Sequence, residues 1–300
     1  MSLFNKSKNR YHKKGSHMKK HTLLCFFLIF IFCVSSADSF AKPLHITLSP
    51  HKVNPGDVFV IKVTGAKAAS PAFASMGGNE FLFSSCGKGC SMAIGAVDIN
   101  TKPRAYTVSV KMGDRVKKIK LYVKRKSFPK IHLTLPEGKV SPGAEDLRRI
   151  RDENKRLAEI FQTASEKIWN GDFLLPVDHS ISTVFGVKRI MNRKRTSIHR
   201  GMDIRGRKGD DIRASNDGKV VLAEELFFGG NTVILDHGQG IYTIYMHLSK
   251  FEVNVGDTVS KGDVIGLVGS TGRATGPHLH FGAKVAGVSV NPASLINLKL

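Results

Sequence analysis

The chain has no apolar run long enough to make a comfortable transmembrane helix. Its longest, residues 23–34 (LLCFFLIFIFCV), falls well short of the roughly 20 residues such a helix needs. It has no phosphate loop either. The turns at 255–257 (VGD) and 261–263 (KGD) carry neither the G-x-G-x-x-G nor the Walker pattern, and no helix follows them. There is no low-complexity tract. Acid is scarce: 24 Asp and Glu stand against 46 Lys and Arg, a formal net charge of +22. That balance favours polyanionic partners, whether nucleic acid, anionic lipid or cell-wall polymer, and does not choose among them. Cysteine is sparse, with only four residues. What is present is globular in character. An apolar fraction of 41% and a charged fraction of 23% allow a real core, and 300 residues allow two ordinary domains or one large one.

The apolar run at 23–34 follows a polar, basic segment holding Lys13, Lys14, Lys19 and Lys20, and precedes Ser39-Phe40-Ala41. Small residues at the −3 and −1 positions of a cleavage after Ala41 complete the pattern of a secretory signal peptide over residues 1–41. Met18 is an alternative start, and an uncleaved N-terminal anchor is the rival reading. Phe32 before Cys33 argues against lipoprotein-type cleavage. Residues 1–41 carry seven Lys and Arg against one Asp, so the remainder stays strongly basic, at about +16. Export removes chromosomal nucleic acid as a partner and leaves an anionic wall or membrane surface. It also removes Cys25 and Cys33. Cys86 and Cys90, in CGKGC, are then expected to pair across a Gly-rich turn in an oxidising compartment, with half of a metal site as the rival reading.

Residues 42–137 read as an all-β module. Period-2 alternation marks 44–48, 58–63, 106–110, 119–123 and 131–135, with Gly, Pro, Asn and Asp between them, and an immunoglobulin-like sandwich is the expectation. Residues 138–172 read as a helical linker. Ser141-Pro142 is its N-cap candidate, Leu147, Ile150, Leu157, Phe161, Ala164 and Ile168 form one apolar stripe, and Asn170-Gly171 ends it. Such a stripe suits ordinary packing, a spacer or a partner-binding face. Residues 173–300 read as a second, compact antiparallel β domain. The whole is therefore mainly β.

Three pieces of the second domain carry chemistry. In IHRGMDI, His199 and Asp203 are four apart and can converge on one ion. In GPHLHFG, His278 and His280 share a strand face while Leu279 points to the core. In YMHLS, His247 ends an apolar strand. Zinc takes imidazole nitrogen and carboxylate oxygen, and a catalytic site keeps one position open. Each piece alone is weak, since a lone strand histidine is more often structural. Together, in this order, they are specific. His45, His51, His132 and His179 have no neighbours at ligand spacing, and His237, in DHGQG, reads as structural.

HRGMDI, YMHLS and GPHLHFG resemble the three motifs of the lysostaphin/LytM-type peptidoglycan hydrolases. The surroundings agree, from Phe185-Gly186 before the first motif to Gly269-Ser270-Thr271-Gly272 before the third, and the resemblance covers residues 173–297. It implies a compact antiparallel β core, a Zn²⁺ held by His199, Asp203 and His280, two catalytic histidines, His247 and His278, and hydrolysis of peptide cross-links in bacterial peptidoglycan. Gly282 stands where many members have an acidic residue. The expectation is an exported zinc metalloendopeptidase of the periplasm or cell envelope, acting on peptide stems in wall remodelling or septum- and growth-related cleavage. A D-alanyl–diaminopimelate bond is expected rather than a glycine bridge. The competing readings are a scaffold that activates other hydrolases, against which the complete ligand set argues, and a wall-binding module. The N-terminal module or the helix is expected to anchor the enzyme, dock an envelope protein, or cover the groove.

Overall fold

The computed structural model describes residues 44–65, 72–134 and 137–300. The expected leader and its cleavage site lie outside them. Among the described residues no helix is long and apolar enough to cross a membrane.

The N-terminal part is built from two sheets. One runs in the order His45–Ser49, Val58–Thr64, Cys90–Ala96, Ser84–Ser85; the other in the order Lys52–Val53, Arg115–Val123, Arg104–Met112, Phe73–Met76, Asn79–Leu82. Alternation decides which side chains go inward. In Arg115–Val123 (RVKKIKLYV), Leu121 and Val123 are buried while Lys118, Lys120 and Tyr122 face solvent. The inner faces share one core, in which the rings of Phe59 and Phe81 meet edge to face at 6.0 Å. Cys86 and Cys90 are disulfide-bonded across the turn that leads into Cys90–Ala96.

Two expectations need correction. The strand expected at 131–135 is not part of these sheets. Lys130–Leu133 pairs in parallel with Lys188–Met191, which pairs in turn with Arg195–Ile198. The segment therefore buttresses the approach to His199. The helix is also shorter than its apolar stripe. It spans Ala144–Gln162, with Gly143 as N-cap. Ser141 instead closes the short helix Glu137–Val140, its N–H donating to the Glu137 carbonyl at 2.7 Å. The C-terminal end is set by tertiary contacts. The Thr163 hydroxyl donates to the Ile160 carbonyl at 2.8 Å, and the Tyr242 hydroxyl lies within hydrogen-bonding distance of the Ile160 and Thr163 carbonyls. The chain then runs on without helix, and the N–H groups of Ile168 and Trp169 both donate to the His237 carbonyl.

The C-terminal part is a ten-stranded, largely antiparallel sheet. Its main path is Ile181–Thr183, Gly201–Arg205, His278–Val285, Ile241–Phe251, Gly230–Asp236, Gly218–Leu226 and Thr258–Val259. Met202, Ile204, Leu279, Phe281, Val233, Leu235 and Tyr245 fill its core. A second seam joins this sheet to the N-terminal pair. Trp169, Phe173, Ile241, Val285 and Leu295 belong to the same hydrophobic cluster as Phe59 and Leu121. Polar ties reinforce it: Asn291 donates to Asp57 Oδ1 at 3.1 Å, and the Val58 N–H donates to Ser294 Oγ at 3.1 Å.

Candidate metal centre

Antiparallel pairing sets the geometry. Gly201–Arg205 lies beside His278–Val285 with Asp203 directly opposite His280, so the two side chains stand on the same face. His199 sits just ahead of that strand, after Arg195–Ile198. Its backbone is pinned on both sides, its N–H donating to the Val187 carbonyl and its carbonyl accepting from the Gly186 N–H. Gly201 must be glycine here, because a Cβ would come within 2.6 Å of His280 Nε2 and 2.5 Å of the Phe281 carbonyl oxygen.

The result is a tight cluster. His199 Nε2 lies 2.9 Å from both Asp203 Oδ1 and His280 Nδ1, and His280 Nδ1 lies 2.8 Å from Asp203 Oδ1. All three residues are buried or nearly so. His199 uses its Nδ1–H to donate to the Val184 carbonyl at 2.9 Å, which leaves the Nε2 lone pair for the cluster. Burial pushes the Asp203 carboxyl upward, but hydrogen bonds with His199 and His280 outweigh it and hold the group well below the ordinary carboxylate range. Burial is also the main force lowering the His280 imidazole. The cluster is thus an anionic oxygen with two imidazole nitrogens available to share a cation.

Two further histidines flank it. His278 and His247 have ring centroids 4.9 Å apart, and His278 Nε2 is 3.8 Å from Asp203 Oδ1. Each is oriented by a backbone carbonyl. His278 Nδ1–H donates to Gly276 and His247 Nδ1–H donates to Thr271, both at 2.8 Å. Both Nε2 atoms are therefore left as acceptors. His247 is aimed by an unusual backbone. It lies inside the long strand Ile241–Phe251 with φ +71°, where the pairing with neighbouring strands shifts register. A non-glycine residue in that conformation stores strain, which fits a position fixed for function. Burial, and then the neighbouring His280 and His278, push its imidazole down to about 3.

The structure thus brings together His199, Asp203, His280, His247 and His278. His237 is elsewhere. Fully buried, it has Nδ1 2.7 Å from the Asp217 carbonyl oxygen and Nε2 2.7 Å from the Thr243 hydroxyl, and burial lowers it to about 4. The sequence reading missed two arginines. Arg189 Nη2 donates to Asp203 Oδ2 at 2.5 Å, fixing the oxygen that the histidines do not use. Arg273 stacks over Phe228, 4.2 Å from guanidinium carbon to ring centroid. Arg273 sits in the very loop, GSTGRATG, whose glycines were read; Arg189 has no local signal at all.

A cavity of about 270 Å³ opens over the cluster, walled by His199, His247, His280, Arg189, Arg273 and Phe228. The helix Ala144–Gln162 closes one side through Ile150, Glu153, Asn154 and Leu157. It is docked by polar contacts. The buried Glu153 carboxylate accepts the Phe227 N–H and is held by Arg149 Nε at 2.7 Å, while Arg156 pairs with Glu224. Leu157, Ile160 and Phe161 pack on the core around Leu226, Tyr242 and Ile244.

The family model for peptidase family M23 matches residues 197–292, which contain all five clustered residues. This part of the chain is a peptidase family M23 domain. The DD-carboxypeptidase/endopeptidase Mpg of Neisseria meningitidis serogroup B is 42% identical over 115 residues, covering 38% of this chain and 26% of the relative. The peptidoglycan DD-endopeptidase ShyA of Vibrio cholerae is 42% identical over 131 residues, 41% of this chain and 30% of the relative. The glycyl-glycine endopeptidase ALE-1 of Staphylococcus capitis is 45% identical over 97 residues, 32% and 27%. The chain thus spans between a quarter and a third of the length of these relatives. A solved structure of a peptidase M23 from Pseudomonas aeruginosa aligns over 82% of this chain and 95% of its own, with TM-score 0.64 and 29% identity. The M23 domain's donor set, two imidazoles and one carboxylate beside an open cavity, is that of a catalytic zinc site. Zinc is its cofactor.

Proposed function

We propose that this protein is an exported zinc metalloendopeptidase that hydrolyses peptide cross-links in bacterial peptidoglycan. The observation that carries the proposal is the arrangement of five side chains in the M23 domain: His199, Asp203 and His280 converge on one point, and the Nε2 atoms of His247 and His278 are left free beside it. Substrate class is argued from the relatives, two of them named for DD-peptide and one for glycyl-glycine cleavage.

His199, Asp203 and His280 would hold the ion, with Arg189 orienting the carboxylate. Bound zinc supplies a Lewis acid that polarises the scissile carbonyl and acidifies water. The remaining work falls to the protein. His278 accepts a proton from the attacking water at Nε2 and returns it to the leaving amine nitrogen. His247 accepts a hydrogen bond at its own Nε2 from the water's other O–H, which stays on the oxygen, and so fixes the direction of attack. The backbone carbonyls of Gly276 and Thr271 hold both rings in the tautomer this needs.

The leader at 1–41 supports export to the periplasm or cell envelope. We read the N-terminal sheets as an immunoglobulin-like sandwich, with domain limits at 42–137, 138–172 and 173–300. Their basic outer face suits an anionic wall or membrane surface. The helix gives a second element of the proposal. Because it walls the cavity over the zinc ligands, it restrains access by a polymer and is the surface through which an envelope partner would act.

The test is to incubate the purified protein with intact sacculi, with and without a zinc chelator, and to follow products by mass spectrometry. Chelator-sensitive conversion of cross-linked muropeptides to monomers is expected, and the products name the bond. Unchanged sacculi together with unchanged soluble cross-linked dimers would overturn the proposal.

A further inference from the structure

The arginines around the cavity are not equivalent. Arg189 is occupied by Asp203, Arg200 is exposed to solvent, and Arg195, outside the lining, donates to the Val140 carbonyl at 3.3 Å. The Arg273 guanidinium lies over the Phe228 ring, and among the described residues it has no carboxylate and no hydrogen-bond acceptor. Yet it is only partly exposed. Burial, then repulsion from Arg189 and Arg195, weaken its hold on the proton. A cation kept in such a place without an anion is costly, and stacking on one ring offsets little of that cost. Its backbone is fixed as well, the N–H donating to the Phe228 carbonyl at 2.9 Å. The site is therefore a preorganised cation facing the same cavity as His199, His247 and His280.

We propose that Arg273 is a specificity-determining residue that receives a free carboxylate borne by the substrate next to the scissile amide. The inference rests on the peptidase reading and deepens it by assigning the residue that would choose between substrates with and without that carboxylate. In a cross-link of the D-alanyl–diaminopimelate kind, the carbon attached to the scissile nitrogen also bears a free carboxylate. An internal glycyl-glycine bond has none. A guanidinium fork pairs with a carboxylate through two parallel N–H···O bonds, which fixes position as well as charge. Arg273 lines the same cavity as His199 and His280, so a carboxylate held there would bring an amide two bonds away into that cavity. An amidated or glycine-bridged substrate leaves the guanidinium desolvated and unpaired, so discrimination comes from the cost of that empty pairing as much as from the gain of the right one.

The test uses a matched pair of soluble cross-linked dimers, identical except that this carboxylate is free in one and amidated in the other. Wild-type protein should favour the acid by about 100-fold in kcat/KM, mostly through KM. Arg273→Gln should bring acid and amide to within a few-fold of each other, by slowing the acid far more than it alters the amide, and Arg273→Lys should restore part of the preference. Equal treatment of acid and amide by wild type, or an equal loss on both in Arg273→Gln, would overturn the inference. A parallel measurement reads binding of an uncleavable acid and its amide by calorimetry. If wild type hydrolyses neither dimer, the peptidase reading fails, and the binding pair still decides: tighter binding of the acid that Arg273→Gln removes sustains the role of Arg273, and equal binding refutes it.

Discussion

Asp203 shows how much one side chain's environment depends on residues outside the motif that contains it. One oxygen meets His199 and His280, and the other is held by Arg189 from a neighbouring strand. An outer-sphere partner of this kind commonly contributes 10- to 100-fold to metal affinity. Arg189→Gln is therefore expected to weaken zinc retention by about that factor, read by competition with a chromogenic chelator; unchanged retention would leave Arg189 with only a packing role. His237 makes the opposite case, a histidine kept for the core. Its folded value of about 4 lies below the ordinary 6.5. The neutral form is the folded form, so its contribution to stability is complete above about pH 6.5, falls as pH drops, and stops changing below about pH 4. The full loss is about 3 kcal/mol. Denaturant unfolding across that range should show the slope in wild type and a shallower one in His237→Gln; identical slopes would refute it. Spacing and strand alternation alone joined His199 with Asp203 and His278 with His280 in the sequence; that these and His247 gather at one place was legible only through the resemblance of the three motifs taken together. Arg189 was not, since only the pairing of Lys188–Met191 with its neighbours brings it near Asp203.

At the scale of elements, the helix shows where local pattern loses to tertiary structure. Its apolar spacing continues to Ala164 and Ile168, yet it stops at Gln162 because the last-turn carbonyls find partners in Thr163 and Tyr242. The short strands Phe73–Met76, Asn79–Leu82 and Ser84–Ser85 were invisible for a different reason, being too brief for alternation to register. The helix's position over the cavity has a functional consequence. Glu153 is the polar anchor of its docking, and removing it leaves the Phe227 N–H without its acceptor. Glu153→Ala should loosen the wall and raise hydrolysis of intact sacculi several-fold relative to a small soluble dimer. An unchanged ratio would show that the helix does not restrict entry.

For the whole molecule, the decisive feature is a core continuous between the N-terminal sheets and the M23 sheet. Trp169, from the segment after the helix, is buried in it with Phe173, rings 6.4 Å apart. The sequence marks both regions as β but gives no hint of that seam, because its residues come from distant stretches that only the fold assembles. Trp169→Ala should cost about 3–5 kcal/mol and lower the midpoint of a single transition involving both regions. Two separate transitions, with only one shifted, would contradict a shared core. Above these expectations stands the claim that three residues hold zinc and two work on the substrate. It is tested most directly by measuring zinc content and turnover on the same preparations of five alanine variants. His199→Ala, Asp203→Ala and His280→Ala should lose both, while His247→Ala and His278→Ala should keep stoichiometric zinc and lose turnover. Zinc retained by any of the first three, or lost from either of the last two, would contradict the assignment.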